Sequence, residues 1–102
     1  MTAPMQNAQR KLQHLLDEHE STSGMYVRIH GQHLILGREE FDGSNNNYQR
    51  DDRVRLTCLN ARRYGLSVKR HTGRWERTPF SGTIDEMVQT ILDCMQHLVA
   101  DH

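Results

Sequence analysis

The sequence predicts an α+β fold, a two-layer sandwich in which a five-stranded antiparallel meander carries an N-terminal and a C-terminal helix on one face. Apolar residues recur at helical spacing near both ends of the chain, and they alternate with polar residues in five segments between. Amphipathic helices need an apolar partner, and a sheet with one apolar face provides it. The chain of 102 residues is long enough for a single domain, residues 1–102, with one modest core.

Composition narrows the class of protein further. The 13 basic and 13 acidic residues cancel, 35% of the residues are hydrophobic, and the mean hydropathy is −0.81. No apolar run approaches the roughly 18 residues of a membrane span, and the N-terminal sequence lacks the basic start and apolar stretch of a signal peptide. We therefore expect a cytoplasmic protein with no membrane partner.

The first predicted element is a helix over about residues 4–20. Pro4 suits the first turn of a helix. Apolar residues then follow at positions 5, 8, 12, 15 and 16, on an arc of about 100°. Ser-Thr-Ser-Gly at residues 21–24 is expected to end the helix, with Gly24 as its terminator.

Residues 25–30 and 33–38 predict a β-hairpin. Apolar and polar residues alternate on both sides of Gly31-Gln32, a pair that suits a two-residue type II′ turn. That turn places Ile29 opposite Leu34 on the apolar face and His30 opposite His33 on the polar face.

The polar stretch at residues 41–52 is interpreted as a mobile loop, because it is long and rich in Asn and Asp. Its first half resembles the start of a calcium loop. However, Asn47 and Arg53 stand where an EF-hand needs Gly and Glu, so an EF-hand is rejected.

Strands are predicted over residues 53–59, 64–70 and 74–78, and Pro79 is expected to end the last of them. Common burial of the apolar residues on the first two requires an odd-length loop or a bulge around residues 60–63. The register of the fifth strand stays open. A two-residue Thr72-Gly73 turn would place Trp75 in the core, and a three-residue loop with a glycine bulge would place it opposite Lys69. The core position is preferred, because Trp is more often buried.

A second helix is predicted over about residues 83–100. Thr83 and Glu86 form a capping box, and eight apolar residues follow on a stripe about 140° wide.

The neutral net charge conceals an asymmetry. Residues 50–77 carry nine basic and three acidic side chains, so this segment has a charge of +6 and the rest of the chain −6. Eleven of the 13 basic residues are Arg, which binds carboxylate and phosphate through two parallel hydrogen bonds and stacks on rings.

These observations point to the polar face of the sheet as an interface or anion-binding face. Its candidate residues are Tyr26, Arg28, Ile35, Arg53, Arg55, Lys69 and Trp75. The first hypothesis is a small interaction module, a homodimer through this face or a partner for another protein. The alternative is binding of single-stranded DNA or RNA, through phosphate contacts and stacking on aromatic rings. A third interpretation is a solvated face whose Arg stems cover apolar surface.

The remaining reactive residues give weaker signals. His30 and His33 are weak candidates for a metal site, because side-by-side imidazoles bind divalent metals but no third ligand is evident. Cys58 and Cys94 are expected to be free and packed as small hydrophobic residues. No catalytic motif and no cofactor motif occurs, so we expect a non-enzymatic protein without a cofactor.

Overall fold

The computed structural model describes residues 3–44 and 46–95, with side chains for residues 5–41, 43–44 and 46–95. Seven elements occur in the order α1 (Ala3–Asp17), β1 (Tyr26–His30), β2 (His33–Asp42), β3 (Asn47–Asn60), β4 (Arg63–Lys69), β5 (Trp75–Gly82) and α2 (Ile84–Cys94). The strands form one antiparallel sheet in the order β1-β2-β3-β4-β5, so the predicted α+β meander with two helices is confirmed. The predicted continuation of the second helix over residues 96–100 lies outside the described residues.

The hydrophobic core lies between the two helices and one face of the sheet. Its strand residues occupy alternate positions of β1 to β4, as the alternation of the sequence predicts. The most deeply buried members are Leu12 and Leu16 of α1, Leu34, Leu36, Val54 and Leu56 of the sheet, and Ile91 of α2. Both helices therefore cover the same face, and we call the opposite face the open face.

The first hairpin has the predicted register. Ile29 lies opposite Leu34 and His30 opposite His33, and Gly31 has a φ of 61°. A positive φ at the first turn residue is the requirement of a type II′ turn, which explains why glycine occurs there.

The prediction of a mobile loop at residues 41–52 is wrong. β2 and β3 continue into this region and pair from Gly37↔Asp52 to Asp42↔Asn47. Residues 38–51 pair only with each other within the described chain, beyond the last paired positions of β1 and β4, and we call them the arm. The residues that looked like loop in sequence are polar because neither face of a two-stranded arm needs to be apolar.

A β-bulge at Arg53 separates the arm from the body of the sheet. Leu36 pairs with Val54, whereas Gly37 pairs with Asp52, which leaves Arg53 as the extra residue on β3. The bulge reverses the alternation of β3, so Arg50 and Asp52 lie on the same face as Arg55 although their numbers differ in parity. A second bulge at Leu59, between Cys58 and Asn60, is the irregularity predicted near residues 60–63.

Trp75 lies on the open face, and its preferred assignment to the core is wrong. It pairs with Lys69, as the alternative three-residue loop requires. Gly73 donates its backbone N–H to the carbonyl of Arg70, Arg70 donates to the carbonyl of Arg74, and Gly73 has a φ of 88°. This is a type I turn followed by a glycine bulge, and its geometry outweighs the general preference of Trp for burial.

β5 continues past Pro79 to Gly82, so the prediction that Pro79 ends the strand is also wrong. The register between β4 and β5 shifts by two residues near Pro79, and the Thr78 hydroxyl donates to the carbonyl of Leu66 across the shift (2.9 Å). Proline is compatible with β5 because β5 is an edge strand, where its missing N–H is not needed.

The other edge of the sheet is closed by α1. Gln9 and Gln13 donate side-chain N–H groups to the carbonyls of Val27 (2.7 Å) and Met25 (2.8 Å). Arg38, only 7% exposed, donates to the carbonyls of Ser21 and Ser23 in the turn after α1. These contacts fix the first helix against the strand that begins the open face.

α2 begins with the predicted capping box. The Thr83 hydroxyl accepts from the N–H of Glu86 (3.2 Å), and the Glu86 carboxylate accepts from the N–H of Thr83 (2.9 Å). Asp85 and Glu86 also place negative charge at the positive end of the helix dipole.

Gly37 gives a test of this architecture. A Cβ at this position would meet the backbone carbonyl of Asp51 and would lie 2.5 Å from the Tyr26 hydroxyl oxygen. We expect Gly37→Ala to lower the free energy of unfolding by about 1–3 kcal/mol, because a strand must move to admit the methyl group. Urea denaturation measures this change.

Gly43→Ala is the matched control, since a Cβ at Gly43 would meet nothing within 4 Å. Equal unfolding midpoints for the two variants would contradict the close approach of Tyr26 and β3 at Gly37.

Candidate functional site

The open face is the part of the molecule that gathers the residues predicted to form a site. Strand register and the alternation of side chains assign its members. They are Tyr26, Arg28 and His30 of β1; His33, Ile35, Gly37, Glu39 and Phe41 of β2; Tyr48, Arg50, Asp52, Arg55, Thr57 and Asn60 of β3; Arg63, Gly65, Ser67 and Lys69 of β4; and Trp75, Arg77 and Ser81 of β5. Six of these side chains are basic and two are acidic, an excess of four positive charges on a face of a neutral chain.

Trp75 and its neighbours form a basic aromatic cluster at the β5 side of the open face. The Arg55 guanidinium lies over the indole, 4.9 Å from the ring centroid. Lys69 pairs directly with Trp75, and Ser67 lies in register between Arg55 and Arg77. We call Arg55, Ser67, Lys69, Trp75 and Arg77 the Trp75 cluster.

The positive charges of the Trp75 cluster are balanced only weakly, since Lys69 is one of the charges that lower the pKa of Asp52 but is not ion-paired with it. Among the described residues, none of the ion pairs involves Arg55, Lys69 or Arg77. The Nε of Arg55 is buried and has no hydrogen-bond partner in the described part of the chain. A buried donor without an acceptor is rare in folded proteins, and here it leaves the charge of Arg55 without a hydrogen bond at Nε.

A hydrogen-bonded triad occupies the centre of the open face. The Asp52 carboxylate accepts from the Tyr26 hydroxyl and from Nε (3.2 Å) and Nη2 (2.6 Å) of Arg28. The Tyr26 ring reaches Asp52 across Gly37, which lies between them in register and has no side chain to obstruct it.

The triad has clear electrostatic consequences. Hydrogen bonding from Arg28 holds the pKa of Asp52 below its ordinary value of 3.8. Burial, followed by the hydrogen bond to Asp52, raises the pKa of Tyr26. Asp52 is therefore ionised at neutral pH, and its negative charge is compensated by Arg28 rather than directed at solvent.

Two of the predicted candidates have surroundings that differ from the expectation. Ile35 points to the open face but is only 4% exposed, because it lies in register between Arg28 and Arg55, whose stems cover it. The bulge removes Arg53 from the open face. Its guanidinium instead binds Asp51 (3.0 Å) and Glu40 (2.9 Å) on the side of the helices.

Among the candidates, Tyr26, Arg28, Arg55, Lys69 and Trp75 therefore lie together on the open face with exposed or half-buried side chains.

His30 and His33 lie side by side as predicted, but they do not gather further ligands. The Nδ1 of His33 lies 2.9 Å from the Thr57 hydroxyl oxygen, and burial, with lesser effects of Arg55 and His30, lowers the pKa of His33. Over the described ranges 3–44 and 46–95, no group of three or more His, Cys, Asp or Glu side chains could hold a metal ion.

Sequence reasoning missed the open-face residues of the arm, namely Glu39, Phe41, Tyr48 and Arg50, and also Asp52 on β3, Arg63 on β4 and Arg77 on β5. Phe41 and Tyr48 face each other across the arm, with ring centroids 5.2 Å apart, and Arg50 lies over the Tyr26 ring at 5.7 Å. The spacing of Tyr48, Arg50 and Asp52 by two residues was the available signal for a strand.

A cleft of about 540 Å³ lies at the end of the core away from the arm, between the start of α1 and the β3–β4 turn. Met5, Ile29, Leu59 and Tyr64 make it largely apolar, and Cys58 lies within it. Cys58 and Cys94 are both free, and Cys94 is exposed, so the prediction of free cysteines is confirmed but full burial of Cys94 is not.

Comparisons with protein-family models, with curated proteins and with solved structures find no match. In the described part of the chain, neither helix has both the length and the apolar character needed to cross a membrane. The chemistry of the open face therefore has to be interpreted from its own residues.

The triad predicts a specific dependence of stability on pH. Because the pKa of Asp52 is lowered on folding, its stabilisation is fully present above pH 3.8 and is lost as the pH falls through the folded-state value. We expect Asp52→Asn to cost about 1–2 kcal/mol at pH 7 and to lose this acid-dependent component. Urea denaturation between pH 7 and pH 2 measures both effects.

Asp93→Asn, on the exposed face of α2, removes a carboxylate elsewhere and serves as the control. The same stability deficit at pH 2 as at pH 7 in Asp52→Asn would show that the carboxylate charge has no part in the triad.

Proposed function

We propose that the protein binds single-stranded nucleic acid on the open face. The observation that carries this proposal is the Trp75 cluster, in which a half-buried indole is in register with Lys69 and is covered by the unpaired guanidinium of Arg55. Bases of a single strand stack on aromatic rings and on guanidinium planes, and Arg and Lys bind the phosphates beside them.

The arrangement across the strands supports a contact with phosphate. Arg55 and Arg77 flank the buried Ser67, which is 4% exposed, on three adjacent strands, so two cations occur in one row above it. Two strand spacings separate the Cα atoms of the two Arg residues by about 10 Å, a distance that their long side chains can close around one phosphate group.

Self-association through the same face, which the sequence places first, receives less support. That hypothesis relied on Ile35 and Tyr26 as outward-facing contact residues. Ile35 is 4% exposed, and the Tyr26 hydroxyl is bonded to Asp52. A face whose apolar centre is already covered by its own Arg stems offers little apolar area to a second copy.

The test is a titration with a fluorescently labelled thymidine 12-mer at several salt concentrations. The proposal predicts affinity that falls steeply with salt, because phosphate contacts release counterions. Binding should also quench the fluorescence of Trp75, the single Trp of the chain. A uridine 12-mer tests RNA in the same way.

Charge-matched double variants identify the face. Arg55→Gln with Arg77→Gln should lower the slope of log affinity against log salt by about 0.7, the contribution of the one phosphate that the two Arg residues would hold. The control pair Arg10→Gln with Arg62→Gln removes two exposed charges outside the open face. Absence of binding at low salt, or equal losses in the two pairs, would refute the proposal, and light scattering would then test the homodimer.

A further inference from the structure

The geometry points to a second stacking subsite at Phe41 and Tyr48 on the arm, so that one single strand runs from the Trp75 cluster along β3 to the arm. This inference rests on the proposed function and extends it from one site to a track with a defined direction and length. Phe41 and Tyr48 are 56% and 69% exposed, an unusual position for two large rings in contact.

The track follows from the register of β3. The side chains that follow one another along β3 on the open face are Tyr48, Arg50, Asp52 and Arg55. Without the bulge at Arg53, strand alternation would place Asp52 and Arg55 on opposite faces. Tyr26, with Arg50 over its ring, lies between the two ends of the track. The track therefore offers aromatic rings at three places, and the rings of Trp75 and Tyr26 each have a guanidinium group over them.

The length of the track sets the size of ligand that can use it. About six strand steps separate Tyr48 from Arg55 once the bulge is allowed for, which is about 20 Å at 3.3 Å per residue. At the stacked spacing of about 3.4 Å per nucleotide, the track covers about six nucleotides. A free nucleotide or a trimer is too short to reach both ends.

Charge along the track is compatible with a polyanion. Asp52, at its centre, is compensated by Arg28, so it does not oppose a passing phosphate. Glu39 is the other acidic residue on the open face, and it lies opposite Arg50. The arm thus carries one exposed acid beside the path, and its removal should favour the ligand.

The exposed rings could alternatively contact a second copy of the chain. We favour the nucleic acid strand because Phe41 and Tyr48 share one face with Arg50 and with the basic side chains of the Trp75 cluster, which form no ion pair among the described residues. A pair of rings on a narrow arm also provides a small area, well below the roughly 800 Å² per partner of a standard protein interface.

The experiment compares the thymidine 12-mer with a thymidine trimer on the full chain. Phe41→Leu with Tyr48→Leu keeps apolar bulk on the arm and removes both rings. We expect this pair to weaken binding of the 12-mer by about tenfold or more, and to leave binding of the trimer and its quenching of Trp75 unchanged. Phe41→Tyr with Tyr48→Phe retains both rings and should bind like the wild type.

Adjacent acids on opposite faces of β2 supply a second, independent measurement. Glu39→Gln should strengthen binding of the 12-mer at low salt by about two- to threefold, whereas Glu40→Gln, on the side of the helices, should not. Thermal unfolding of every variant monitors the fold. Weaker binding by the Leu pair together with stronger binding by Glu39→Gln would support the track.

The outcomes separate the inference from the proposal on which it rests. If the wild type binds the 12-mer and quenches Trp75 but the Leu pair binds equally well, the arm subsite is wrong and the proposed function stands. If the wild type does not bind at all, the proposed function fails first. If the Leu pair instead dissociates a dimer seen by light scattering, the arm is a contact between copies and the inference is overturned.

Discussion

Coverage of only one face of the sheet is the constraint on which the rest of the structure depends. Both helices pack on the apolar face, and the opposite face must satisfy its polar groups with its own side chains. It does so through the triad of Tyr26, Arg28 and Asp52 and through Arg stems laid over Ile35. Arg55, Lys69 and Arg77 form no ion pair among the described residues, so their charge is the part of the open face that remains for a ligand.

Hydrophobic alternation predicted the parts of the fold that have one buried and one exposed face. The register of the first hairpin followed from Gly31 and the apolar residues that flank it, because a slip by one residue would expose every one of them. The capping box at Thr83 was equally readable, since its two hydrogen bonds depend on residues three positions apart. In both cases a local rule and the burial pattern required the same answer.

The arm could not be predicted in this way, because most side chains of the two-stranded ribbon are exposed and its sequence therefore shows no alternation of apolar and polar residues. The bulge at Arg53 also left no signal in the sequence. Arg53 and Arg55 alternate with Val54 in the sequence as though both belonged to one face, and the pairing of Gly37 with Asp52 separates them. For Trp75, hydrophobicity and turn chemistry gave opposite answers, and the glycine bulge at Gly73 determined the outcome. The part of the candidate site on the arm and at Asp52 depends on these irregularities, so sequence alone recovered Tyr26, Arg28, Ile35, Arg55, Lys69 and Trp75 but not the arm.

The arm also has a consequence for how copies of the chain behave towards one another. A ribbon whose outer edges are unpaired offers backbone N–H and C=O groups that could template a further strand from another molecule. The middle of the arm carries exposed charged side chains at Glu39, Glu40 and Arg50. These side chains impede an incoming edge by their hydration and their bulk, and so protect the arm against fibrillar growth.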